Sequence, residues 1–307
     1  MRIGLKLHHS GPGATPDLIR RWALFAELLG MHFLMIGDHV ALTPDVTEKY
    51  PSPFFEACTT LTWLAAQTHT IGLGTTVLVV PYHHPLRLAQ LTANIDALAN
   101  GRLIVGVGVG WAQGEFEALN IPFEHRGAIT DEYLAALKIL WTQHPASYEG
   151  RFVKFRDVTL DPKPVQQPHP PLWIGGDSDA ALRRAVRFGD AWHPINIDLE
   201  WARTIALPRL AILAEQAERP TPQFCPRIRF RLTDSPLPEG ERFAGEGNID
   251  QVRRDLEKLE ALGAKAILLD TKGGPFSKAT SIHHEEAWRM LAIFSEQVFD
   301  LEKERIR

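Results

Sequence analysis

Cysteine is scarce in this chain: Cys58 and Cys225 are the only two among 307 residues. Two thiols make neither a disulfide framework nor a zinc-ligand pattern, so each is expected to pack as a small residue in a reducing compartment. Long runs of Lys and Arg are absent, and the formal net charge is −4 at pH 7. That balance argues against the basic stripe of a nucleic-acid surface and the polybasic patch of a membrane-surface protein, and in favour of small-molecule chemistry. No run of about 18 apolar residues occurs, and the chain enters strand-like RIGLKLH at once, without the apolar core of a signal peptide. A cytoplasmic protein is the expectation. Internal repeats and low-complexity tracts are also missing.

What is present is an alternation. Eight β-rich runs (RIGLKL, HFLMIG, IGLGTTVLVV, RLIVGVGVG, PLWIGG, DAWHPI, RIRFRL and AKAILLD) are separated by amphipathic stretches. Helices are expected over 17–29, 54–67, 86–99, 131–141, 179–188, 199–217, 249–262 and 284–299. In the seventh, Val252, Leu256, Leu259 and Leu262 make one apolar stripe while Arg253, Arg254, Glu257 and Lys258 face away from it. Eight strands alternating with eight helices specify an α/β fold, a (β/α)8 TIM barrel with loop insertions, as a single domain over residues 1–307. VLVV and AILL suit strands covered on both faces. Between His144 and Pro171 the prolines forbid a long helix and YEGRFVKF reads as a small hairpin, so this insertion is expected to be a lid or wall of the site. The stretches 218–226 and 233–247 read as loops, and LEKERIR as a continuation of the last helix.

In such a barrel the chemistry belongs at the C-terminal strand ends. There stand His8-His9, Asp38-His39, PYHH (81–84), GVGW (108–111), Gly175-Gly176 and Trp192-His193. The stretch PPLWIGGDSDAALRRAVRFGDAWHP runs a buried strand into two glycines, then into Asp177, Ser178 and Asp179 as capping oxygens, then into a helix. Backbone N–H groups at a helix start, with no Cβ in the way, attract an anion, and the turn reads as a phosphate cradle. An ordinary strand-to-helix loop, whose glycines serve only the turn, is the other reading. The pairs His8-His9, His83-His84 and His283-His284 raise a barrel metallohydrolase. Neighbours on a strand point to opposite faces, and no H-x-H pattern follows the first strand, so no metal site is expected.

Three stretches taken together, GDHV, IGLGTTVLVVPYHHPLRLAQLTANIDALANGRLIVGVGVGW and PLWIGGDSDAALRRAVRFGDAWHP, resemble the bacterial luciferase-like monooxygenase family. The resemblance runs from Arg2 to about Asp270. It implies an F420- (5-deazaflavin) or FMN-dependent oxidoreductase or monooxygenase acting on a small organic substrate, with the ring in the barrel mouth, and a homodimer. The GDHV and GVGW patterns lean to the deazaflavin.

By position, the resemblance makes His39 the strand-two histidine near the reactive face of the ring. Imidazole titrates near neutrality, which suits a proton donor or acceptor there. Asp38 would orient His39 or contact the barrel wall, and the alternative is that both merely cap a strand end. The resemblance also implies a non-prolyl cis peptide and bulge near Val77 and Leu78. It puts Thr76 and Asn94 at the ring or its side chain, with core or helix hydrogen bonding as the alternative. Gly108 and Gly110 permit close approach of cofactor or substrate, or suit barrel packing alone. Trp111 stands where some deazaflavin members carry a carboxylate. Glu115, one helical turn later, either substitutes for it or lies on a solvated helix face. His193 is a second catalytic candidate or a hydrogen-bonded structural residue, and Gly175, Gly176 and Ser178 would hold the phosphate tail. A non-catalytic flavin-binding protein on the same fold is the remaining alternative.

Overall fold

The computed structural model describes residues 1–272 and 284–307. At its centre is a parallel sheet of β1 (Arg2–Lys6), β2 (Phe33–Ile36), β3 (Gly72–Thr75), β4 (Leu103–Gly108), β5 (Leu172–Gly175), β6 (Ala191–His193), β7 (Gln223–Phe224), β8 (Arg227–Arg229) and β9 (Ala266–Asp270). From β1 to β7 each strand pairs with the next, while β1 also pairs with β9 and β9 with β8. β7 and β8 form one stretch interrupted at Cys225-Pro226. On one side the N–H groups of Cys225 and Arg227 donate to Trp192 O and Pro194 O; on the other, Lys265 and Leu268 donate to Phe224 O and Pro226 O. The sheet is thus strongly curled.

Strand parity separates two apolar layers. Ile3, Leu5, Leu34, Ile36, Leu73, Val105, Val107, Ile174, Ile267 and Leu269 join the buried faces of the helices in one cluster. The alternate residues Phe33, Met35, Ile104, Trp173, Cys225 and Leu268 fill a second cluster on the concave side. Each fully buried Phe, Met, Ile or Leu there contributes about 1.5–3 kcal/mol. One more step of the same parity toward the C-terminal strand ends brings Lys6, Gly37, Thr76, Gly108, Gly175, His193, Arg227 and Asp270 to the concave face, and the site is built from this layer.

The helices follow their capping signals. Asp179–Phe188 is capped by Ser178, whose side chain accepts from Ala181 N at 3.2 Å. Ile249–Ala261 carries a reciprocal Asn248/Gln251 capping box and buries Val252, Leu256 and Leu259. Four expectations change. The helix expected over 199–217 is broken into Leu199–Trp201, a π turn over Ala202–Ala206, and Leu207–Gln216, because Pro208 has no N–H to continue the ladder. The fourth long helix begins at Arg126, earlier than the apolar spacing suggests. The last helix, His284–Ile293, passes through a π turn, and the tail folds back as Phe299–Asp300 against Arg305–Ile306 instead of continuing helical. β7 lies inside the stretch expected to be a loop.

The hairpin Ala146–Glu149/Lys154–Val158 forms, but it is clamped to the helix Arg126–Thr142, where Glu132 accepts from Arg151, Phe152 and Val153 N–H. It does not line the cavity at the strand ends. Among the described residues no helix is long and apolar enough to cross a membrane.

Candidate active site

A cavity of about 240 Å³ opens at the C-terminal ends of the strands. Nine of the residues singled out from sequence line it: Asp38, His39, Thr76, Val77, Gly108, Gly110, Trp111, Gly175 and Gly176. His9, from the strand-end pair His8-His9, lines it as well, while the sequence reading missed Lys6, Tyr50, Phe54 and Arg227. Only the strand parity of RIGLKL, which turns Lys6 to the same face as Gly4, carried a signal for any of them. A wider cleft of about 770 Å³ lies beside the helix Ile249–Ala261. Its charges are largely spent on one another, in Arg242–Asp255, Arg242–Glu239 and Arg203–Glu200 pairs.

His39 follows β2, and its ring is enclosed by Tyr50, Phe54 and Trp111 at centroid distances of 5.0, 5.2 and 5.6 Å. Glu115, in the short helix Gln113–Ala118, is fully buried, so the solvated-face alternative falls. Its Oε2 lies 2.6 Å from His39 Nδ1 and accepts from Tyr82 OH at 3.2 Å. Its Oε1 accepts from Val40 N at 2.7 Å and Ala41 N at 3.0 Å. A carboxylate can only accept, so Nδ1 carries a proton, and in the neutral ring the lone pair is then on Nε2.

Asp38 does not orient His39. Its Oδ2 accepts from Val79 N at 3.0 Å and from His83 Nε2 at 2.8 Å. Burial opposes charge on His83, but the hydrogen bond and charge of Asp38 outweigh it and raise the imidazole's pKa. This ties down the segment after Thr76–Val77, which is a non-prolyl cis peptide and splits the expected third strand into β3 and Leu78–Val79. Behind it, His193 is fully buried. Its Nδ1 donates to Cys225 O at 2.5 Å and its Nε2 faces Thr76 Oγ1 at 3.0 Å. Burial pushes its pKa down to about 4, so at neutral pH it is a neutral hydrogen-bonded prop outside the cavity.

Val77 explains the glycines beside it, since a Cβ on Gly108 would stand 2.6 Å from Val77 Cγ2. Gly176 has φ +103°, a conformation side chains rarely adopt. Among the described residues the N–H groups of Gly176, Asp177 and Ser178 have no protein acceptor. The Asp179 carboxylate at this helix start is taken up by Arg183 and Arg209. Asn94 sits within the helix Pro85–Leu98 and does not line the cavity, and Ser178 acts as the helix cap.

The histidine pairs diverge. His8 bonds Thr271 Oγ1 at 2.5 Å and packs on Trp22, while His9 faces the cavity against Phe54. Among the described residues no three His, Cys, Asp or Glu side chains are grouped to hold a metal. His283 lies outside the described residues.

A family model described as luciferase-like monooxygenase matches residues 2–236. The chain belongs to the luciferase-like monooxygenase family. An uncharacterised protein of Mycobacterium tuberculosis is 33% identical over 215 residues, 65% of this chain and 75% of that protein. The FMNH2-dependent dimethylsulfone monooxygenase of Pseudomonas putida is 41% identical over 136 residues, 43% of this chain and 37% of the enzyme. The oxygenase component of the flavin-dependent trigonelline monooxygenase of Acinetobacter baylyi is 32% identical over 166 residues, 53% of this chain and 44% of that protein. Among solved structures, the monooxygenase RslO1 of Streptomyces bottropensis superposes with a TM-score of 0.75 at 22% identity, covering 96% of this chain and 98% of its own. An F420-dependent secondary alcohol dehydrogenase gives 0.76 at 16% identity, covering 96% and 97%. At these identities the structural likeness speaks to the fold.

In this luciferase-like site, one wall is backbone and small side chains from β3, β4 and β5, and it leads to the unpaired N–H groups of a helix start. The opposite wall is ionic. A histidine with a fixed tautomer lies between them. Such an arrangement can seat a flat ring and an anionic tail, and can pass a proton at His39 Nε2.

Proposed function

We propose that this luciferase-like protein is an oxidoreductase that uses FMN or F420 for hydride transfer to, or oxygenation of, a small organic substrate. The observation that carries the reading is the His39–Glu115 pair facing a glycine-walled cavity that continues to the Gly175-Gly176 helix start. The names of the flavin-dependent relatives support the choice of cofactor. We read the strands as the eight positions of a (β/α)8 barrel, with β7 and β8 sharing one position, in a single domain that assembles as a homodimer.

The residues present fit the group. The flat side of the cavity offers Thr76, Val77, Gly108 and Gly175, and the N–H groups from Gly176 to Ser178 suit a phosphate. The bound ring supplies the electron chemistry. Glu115 fixes the tautomer of the neutral His39 ring, His39 Nε2 takes or returns a proton, and Tyr50, Phe54 and Trp111 pack around that ring and hold it in place.

Fluorescence titration with FMN and with F420 tests the reading, and saturable binding of at least one is expected. With a substrate in hand, His39→Ala should lower kcat by about a hundredfold or more, the scale of general acid–base catalysis, with cofactor affinity little changed. Binding of neither cofactor, or near-wild-type turnover in the variant, would overturn it.

A further inference from the structure

The concave layer at the strand ends is asymmetric. β3, β4 and β5 bring Thr76, Gly108 and Gly175 to it, while β1, β8 and β9 bring Lys6, Arg227 and Asp270. β2, with His39 just beyond its end, separates the halves on one side. All three charged residues are buried, at 3%, 2% and 0% exposure.

Arg227 Nε donates to Asp270 Oδ2 at 3.1 Å, and its Nη2 donates to the same oxygen. Asp270 Oδ1 accepts from Lys272 N at 3.0 Å. The carboxylate is therefore committed to Arg227 and the backbone. Lys6 lines the cavity but makes no hydrogen bond or ion pair among the described residues. Burial lowers its pKa to about 8 against the opposing pull of Asp270, with Arg227 and Lys272 lowering it further, so the ammonium persists at neutral pH. A buried ammonium without a partner is expensive, and a ligand oxygen bearing negative charge removes that cost. The two cations Lys6 and Arg227 against one carboxylate leave this half of the mouth net positive.

We propose that Lys6 and Arg227 form an anion subsite that takes the carboxylate or sulfonate of a small organic acid and seats it beside His39, across the cavity from the glycine-lined wall. The inference rests on the cofactor reading above, which assigns the flat ring to that glycine-lined wall. The cofactor's own phosphate has its place at Gly176 to Ser178, so it does not account for Lys6.

Calorimetric titration with benzoate against benzamide, and with methanesulfonate against dimethyl sulfone, tests this in cofactor-free and FMN-loaded protein. At least one acid should bind tighter than its neutral counterpart by about tenfold or more, the scale of a hydrogen bond to a charged group. Lys6→Met should abolish that preference, leave FMN affinity within about threefold of wild type, and melt no lower than wild type, since it removes a buried charge. The inference is overturned if wild type shows no preference for either acid or if the preference survives in Lys6→Met. It is also overturned if Lys6→Met weakens FMN as much as it weakens the acids, which would assign the lysine to the cofactor. Wild type that binds neither FMN nor F420 overturns the cofactor reading instead, and the acid preference is still read in the cofactor-free protein.

Discussion

Glu115 decides what His39 can do. Its two oxygens accept from two backbone N–H groups, a phenol and an imidazole N–H, which is the pattern of an ionised acceptor. Glu115→Gln keeps the shape and brings two donors. With the amide oxygen held by Val40 and Ala41 N–H, the NH2 faces His39 Nδ1, forcing the proton to Nε2 and ending that atom's role as acceptor. The expected result is a kcat lower by about a hundredfold or more, with cofactor affinity unchanged; stopped-flow and steady-state rates would show it, and a rate within about threefold of wild type would remove Glu115 as the group that sets the tautomer. From the sequence, Glu115 reads equally as a solvated helix residue, because the groups that bury it lie some 75 residues earlier in the chain. Lys6 was less legible still, since a lysine at the end of a strand ordinarily reads as solvent-facing.

Elements were legible where their signals are contiguous. The helix Asp179–Phe188 has strand, glycine turn, cap and apolar spacing in one run, and its expected bounds match the observed ones. Elements broken by backbone irregularity were not. Pro208 interrupts a helix whose side-chain periodicity continues through it, and β7 is too short for an alternation to register. The glycine turn also carries a prediction that separates shape from charge. At φ +103° any Cβ is strained and would meet Ala181 Cβ at 3.0 Å, so Gly176→Ala and Gly176→Glu share the strain while only the second adds a negative charge. FMN affinity should fall by a further factor of roughly ten or more from Ala to Glu, in keeping with anion repulsion at a helix N-terminus. Riboflavin, which lacks the phosphate, should bind both variants alike. Equal FMN affinity in the two variants would move the phosphate elsewhere.

The whole molecule holds its polar strand-end layer under constraint, and pH exposes that constraint. Burial is the largest cause holding His8 well below the ordinary imidazole range, His9 at about 3 and His193 at about 4. Between those values and pH 6.5 the unfolded chain binds protons that the folded one refuses, so stability falls as pH falls, by about 1.4 kcal/mol per pH unit for each such group once the pH is well below 6.5. His83 works in the opposite sense. Its raised pKa gives a contribution fully present below 6.5 and lost as pH rises through the folded value. Asp270, held low by Arg227 and Lys6 despite its burial, adds a loss only below the ordinary carboxylate range. Because the His83 contribution no longer changes below 6.5, the three imidazoles leave a net loss on the order of 5 kcal/mol between pH 7 and pH 5, a large share of the stability of a typical domain, and His32 and His284, lowered by burial in the same sense, add to it. Urea midpoints at pH 7, 6 and 5 should therefore drop steadily, with roughly three protons taken up on unfolding near pH 5.5. His193→Gln keeps hydrogen-bonding capacity without a titrating group and should flatten the slope by about one imidazole's worth. A midpoint that stays level from pH 7 to pH 5 would mean that these histidines reach solvent in the folded protein.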